Sequence, residues 1–270
     1  MAQDEGLGGC TPTLWASERL SIDPSPTVPH SPCPMVAARS RFFTAMAVLA
    51  LVVALTGFAG TYFVPLARGG FRAPPIVHVH GALLFGWLVL FLAQSLLIRR
   101  RDLLAHKRLG WAGAVLAAGV SVSTVAVGVW ATQRDVAAGG GDIAVSALTG
   151  VCLSAAMFLA LVAAAIAWRR NGPAHKRLMM LATIAILWPA WFRFRHYFPS
   201  VPAPEITFAI IAADSLIVAC ILRDWLVERR IHSVFLWVGP AIILEHITEA
   251  LLFDSPPWRA VAHAIFDALT

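Results

Sequence analysis

Apolar runs of about 20 residues, repeated along most of the chain, constrain this sequence more than any other feature. A helix of that length crosses roughly 30 Å of hydrocarbon. There, every backbone N–H and C=O needs a partner within a helix or a closed sheet, so a spanning chain is a helix bundle or a barrel. A barrel requires short alternating segments, and these are absent. Composition agrees: 59% of the 270 residues are hydrophobic and 13% are charged, against about a quarter charged in a soluble domain. The expected fold class is all-α, a polytopic transmembrane helix bundle of about seven spans, with the lipid bilayer as its first partner.

The spans are expected at 42–64, 76–98, 109–131, 144–168, 177–198, 205–222 and 234–253. Pro74-Pro75 opens the second, since proline suits a first helical turn. Pro189 lies inside the fifth and predicts a kink. Residues 1–38 carry scattered prolines and no periodic apolar face, so they read as a disordered tail ahead of a transmembrane helical domain, 39–270. The tail lacks the basic and apolar regions of a signal peptide, and the first span is long for a cleaved one, which favours an anchor. Met35, followed by Arg39, Arg41 and an apolar run, has the form of a translation start, so an over-extended start would account for the first 34 residues. Cys10 and Cys33 fall in the tail and Cys152 and Cys220 in spans, a placement that makes no disulfide framework.

The segment Arg100-Arg101-Asp102-Leu103-Leu104-Ala105-His106-Lys107-Arg108-Leu109 returns 69 residues later as Arg169-Arg170-Asn171-Gly172-Pro173-Ala174-His175-Lys176-Arg177-Leu178. Each copy lies between two apolar spans. A repeat at fixed offset signals duplicated architecture, here a helical hairpin with a basic turn carrying one histidine. The net charge of +6 sits in such turns, where topology explains it, so nucleic acid is rejected as a partner. One side collects Arg19, Arg39 and Arg41; Arg99, Arg100, Arg101, Lys107 and Arg108; Arg169, Arg170, Lys176 and Arg177; and Arg223, Arg229 and Arg230. The other collects Arg68, Arg72, Arg134, Arg193, Arg195 and Arg259. The positive-inside rule then predicts a cytoplasmic N-terminus and an outer C-terminus in a bacterial inner membrane.

Candidate functional residues fall into three groups. His106 and His175 start the third and fifth spans; two histidines on neighbouring helices can hold haem iron or another metal, or relay protons. The alternative is interfacial anchoring beside anionic headgroups. In the second span His80, Leu84, Trp87, Phe91 and Gln94 follow helical steps and share a face directed into the bundle, with His78 about 200° away from His80. The third group is intramembrane charge, which marks function by default. Arg193 lies roughly 7 Å and Asp214 roughly 13 Å from the outer end. His196, Glu245 and Glu249 fall in the same half, with His246 on a neighbouring face. The expectation is one outward polar pocket containing Arg193, Asp214, Glu245, Glu249 and Gln94, in which Arg193 pairs with Asp214 or Glu249. The alternative is a structural ion pair that locks helices together.

His78-x-His80, Trp87, Gln94, Ala105-His106-Lys107-Arg108-Leu109-Gly110 and His175-Lys176-Arg177-Leu178-Met179 resemble a group of multi-pass bacterial inner-membrane proteins of unassigned activity. The likeness covers residues 42–222; it implies a membrane protein and carries over no catalytic residue. A second likeness is to membrane cytochromes b, which would make His106 and His175 inner, and His80 and His196 outer, ligands of haem b. The chain departs from that pattern at Thr149, which stands where the duplication would place a second outer histidine.

Three functions follow as expectations. One is a metal- or haem-binding redox module on these histidines, with Asp214 and Glu245 setting charge and proton balance. Another is a proton-coupled transporter of a small molecule or ion, with protons on Asp214 and Glu245 and an anionic group on Arg193. The third is a non-catalytic membrane assembly protein. P-loops, nucleophile elbows and zincin motifs are absent, so the residues name no reaction.

Overall fold

The computed structural model describes residues 34–270, with side chains from Arg41 onward. The expectations for the tail to residue 33, including Cys10 and Cys33, lie outside the described residues. Among the described residues, seven helices are long and apolar enough to cross a membrane: α1 (Arg41–Ala67), α2 (Pro75–Arg99), α3 (Leu103–Ala137), α4 (Gly141–Ala167), α5 (Gly172–His196), α6 (Pro204–Glu228) and α7 (Val234–Leu252). The helical backbone of α1 reaches back to Pro34. A shorter helix that was not expected, α8 (Pro256–Leu269), follows the last span. No strand occurs among the described residues.

The repeated turn has a physical explanation. Its third position, Asp102 in one copy and Asn171 in the other, is a helix N-cap in both: Asp102 accepts from the Ala105 N–H at 2.9 Å and Asn171 from the Ala174 N–H at 3.2 Å. Such a cap satisfies a backbone donor that the first turn leaves orphaned. The cap fixes where each helix starts, so His106 and His175 sit in the first turns of α3 and α5 rather than in loops.

α5 is the central element. Met180, Leu181, Ala182, Thr183, Ile184 and Ala185 are all buried, and the helix packs against α1, α4, α6 and α7. Trp87 of α2 reaches it from another side. This indole is 1% exposed, donates to Thr183 Oγ1 at 3.2 Å, and meets Phe158 of α4 edge to face at 4.9 Å. The expected inward stripe of α2 is therefore anchored at its centre. Large apolar side chains such as Val115, Val122, Trp237 and Leu251 remain on the outside, the arrangement suited to hydrocarbon rather than water.

Four spans are irregular. α1, α6 and α7 contain π-helical turns at Ala59–Phe63, Thr207–Ala212 and Val234–Val238. α5 is α-helical over Gly172–Ala185, breaks at 186–187, resumes over Trp188–Phe192 and tightens to a 3-10 turn over Arg193–His196. Pro189 lies just beyond the break and cannot donate a helical hydrogen bond, as the kink expected there requires. Gly57 of α1 lies against the carbonyl of Ala190 so closely that a Cβ would collide with it.

Candidate functional site

The candidate polar side chains fall into four groups rather than one pocket. The first, at the end of the bundle carrying the repeated turns, is an ion network. Arg177 grips Asp224 with two nitrogens, Nε to Oδ2 at 2.8 Å and Nη2 to Oδ1 at 2.9 Å. Arg223 Nη1 donates to Asp224 Oδ1 at 2.9 Å and to Glu228 Oε1 at 2.8 Å, and the His232 N–H donates to Asp224 Oδ2 at 3.3 Å. The side chains of Arg177 and Asp224 are 4% and 0% exposed. Burial, aided by the Arg177 cation, lowers the His232 imidazole from its usual range. Phe235 lies under Arg177, and Phe42 and Phe43 under Arg223. Sequence reasoning missed this network. It counted Arg177 and Arg223 as loop cations and ended the sixth span at residue 222, whereas α6 continues to Glu228. The spacing of Asp224 and Glu228, one helical turn apart beside Arg223, was the available signal.

The second group is the histidine pair. His106 and His175 stand edge to face with ring centroids 6.3 Å apart. His175 Nδ1 lies 2.8 Å from the Ala165 carbonyl, an acceptor only, so Nδ1 carries the proton and Nε2 keeps a lone pair in the neutral ring. His106 Nδ1 is buried without a partner. Gln94 donates to the His106 carbonyl at 3.2 Å, which places Gln94 here rather than in the outer pocket.

The third group lines two adjoining cavities of about 620 and about 240 Å³ that share Thr61, His80, Leu84, Val127, Ile186, Pro189 and Arg193. Arg195 and His196 complete the larger one. Arg193 donates to the Pro189 carbonyl at 2.7 Å and covers the Phe58 ring at 4.1 Å. His80 Nδ1 lies 3.1 Å from Ser123 Oγ, whose own hydrogen goes to the Val120 carbonyl at 3.0 Å. Nδ1 is therefore the donor, and Nε2 retains its lone pair. His78 turns instead to the Tyr62 hydroxyl at 2.8 Å, as helical spacing requires.

The fourth group joins α6 and α7. Asp214 Oδ1 lies 2.8 Å from His246 Nδ1, and His246 Nε2 lies 3.7 Å from Glu245 Oε2. The Glu249 carboxylate presses on Gly150 of α4.

The expected pairing of Arg193 with Asp214 or Glu249 does not form. Arg193 makes no ion pair among the described residues, and Asp214 takes His246 instead. The cause is the break in α5. Beyond it the α-helix resumes only over Trp188–Phe192 and then tightens to a 3-10 turn, so Arg193 does not keep the face an unbroken helix would give it, and its guanidinium settles on Phe58 of α1. Of the histidines, His80 and His196 both line the larger cavity, while His106 and His175 meet at the other end of the bundle. Compared with protein-family models, curated proteins and solved structures, the chain matches none.

Proposed function

We propose that this chain is a membrane-embedded binding protein whose cavity takes a small amphiphilic anion. One observation carries the reading: Arg193, without an ion-pair partner among the described residues, lines both cavities with His80. A guanidinium stays charged throughout the physiological range and is costly to hold in hydrocarbon uncompensated. The larger cavity adds Arg195 and His196 and has no carboxylate in its wall; the rest is largely apolar, including Val120, Phe158 and Trp188. A cationic head site on an apolar chamber fits a ligand with an anionic head and a short apolar body. A broken helix lining such a chamber is the usual place for irregular backbone at membrane depth.

The test is saturable binding of octanoate to the protein in lipid nanodiscs, with octanol as the uncharged control. Octanoate binds the wild type, octanol binds more weakly, and Arg193→Gln loses at least about tenfold in affinity, equivalent to about 1.4 kcal/mol. Equal binding of acid and alcohol, or no effect of Arg193→Gln, overturns the reading.

A second reading rests on the contact between His106 and His175. Among the described residues no group of three or more ligating side chains is placed to hold a metal ion. Two histidines alone suit haem iron, whose other ligands come from the porphyrin. The proton on His175 Nδ1 leaves its Nε2 free, as a ligand requires. A reduced-minus-oxidised visible spectrum of protein expressed with full haem supply tests it. A Soret and α-band change lost in His175→Ala supports haem b; a flat spectrum removes it.

A further inference from the structure

Asp214, Glu245, His246 and Glu249 lie in the halves of α6 and α7 away from the repeated turns, well separated in chemistry from the cationic cavity. Asp214 is 5% exposed, and its Oδ2 is buried without a partner. The His246 side chain is 10% exposed. Its Nε2 has no hydrogen bond and faces Glu245 at 3.7 Å. Both Glu245 oxygens are buried and unpartnered. Glu249 stands one turn beyond Glu245 on the same face of α7, closed on its far side by Gly150 of α4.

The charged groups that act on this cluster are its own members: Asp214 from α6, and Glu245, His246 and Glu249 from α7. Among the described residues no Lys or Arg pairs with any of them. Three ionised carboxylates against one imidazolium would leave an excess of two negative charges at membrane depth. Such an excess is prohibitive without compensation. A metal ion does not fit the geometry. Asp214 and His246 bond directly at 2.8 Å, leaving no room between them, and no ligand set of three converges among the described residues.

We propose that Asp214, His246, Glu245 and Glu249 form a proton-binding array that holds shared protons inside the membrane. Its order along the helices gives a path from the end of α7 inward. A proton taken up on the Glu249 carboxylate passes to Glu245 and then to His246 Nε2. His246 Nδ1–H passes to Asp214 Oδ1 in return, so each transfer breaks one bond to hydrogen and forms another. The array is independent of the anion reading, since it shares no residue with either cavity.

Infrared spectroscopy of the whole protein in nanodiscs tests the proposal through the C=O stretch of protonated carboxylic acid. At neutral pH the wild type shows this band, it shifts on H/D exchange, and it disappears on alkaline titration. Glu249→Gln and Glu245→Gln each remove part of its intensity, and Arg193→Gln leaves it intact. No such band in folded wild-type protein at neutral pH overturns the proposal. So does a stoichiometric divalent metal found by elemental analysis. The wild-type titration decides the matter even where a variant does not fold.

Discussion

Arg177 and Asp224 are joined by two parallel hydrogen bonds, at 2.8 and 2.9 Å, between the start of α5 and the end of α6. Both side chains are out of solvent, so removing one partner strands a buried charge, at a typical cost of about 3–5 kcal/mol. Asp224→Ala and Arg177→Ala are each expected to lower the thermal midpoint sharply or abolish folded yield. The double variant Arg177→Met with Asp224→Leu should lose less than either. Fluorescence-detected size exclusion after heating checks this, and a double variant worse than both singles would contradict it.

Trp87 is held by packing and one hydrogen bond. Trp87→Phe removes the bond to Thr183 and keeps most of the ring, for a loss of about 0.6–1.7 kcal/mol at intramembrane depth. Trp87→Ala opens a cavity at the bundle centre and costs about 3–5 kcal/mol. Thermal unfolding of the two variants in the same detergent should separate them by that margin.

Gly57 brings α1 close against the second half of α5 at Ala190. Gly57→Ala pushes a methyl group against the Ala190 carbonyl, an overpacking cost of about 1–3 kcal/mol. Because the displaced segment carries Pro189 and Arg193, octanoate affinity should fall together with stability. A stable variant with unchanged affinity would show that the crossing does not shape the cavity.

The C-terminal helix α8 docks through a clamp at the start of α4. Asp254 accepts from Arg259 at 2.7 Å and from Ser146 at 2.8 Å, and Trp258 donates to the Ser146 carbonyl at 2.9 Å. The Arg259 and Ser146 bonds hold the Asp254 carboxyl down at about 2. A lowered carboxylate stabilises fully above its ordinary value of about 3.9 and loses that contribution as pH falls from there through the lowered one. Amide exchange in α8 should therefore stay slow down to about pH 4 and accelerate between about pH 4 and pH 2. Arg259→Gln should move that acceleration to higher pH.

The spans were legible because apolar run length is set by bilayer thickness. The duplicated hairpin was legible because its cap and histidine keep their places in both copies. Pro189 marked the break in α5. The direction taken by Arg193 was not legible, because face assignments assume an unbroken helix and α5 breaks six residues before it. Asp224 was missed for a different reason: hydropathy ends a span where charge begins, and buried ion pairs let a helix continue past that point. His246 was read on a face neighbouring its acids, and its bond to Asp214 was not legible because spacing within one helix does not show which residue of α6 comes against it.

Arg108 and Arg177 occupy the same place in the two copies of the turn, yet Arg108 is exposed while Arg177 is sealed by Asp224. The two hairpins are thus alike in plan and unequal in office. The α4–α5 hairpin is riveted to the helices that follow it, whereas the first-copy turn between α2 and α3 keeps its basic face free. A chain rebuilt with the two turns exchanged would keep its caps and its histidines, yet any tolerance to change would differ between the copies: Arg108 is replaceable and Arg177 is not.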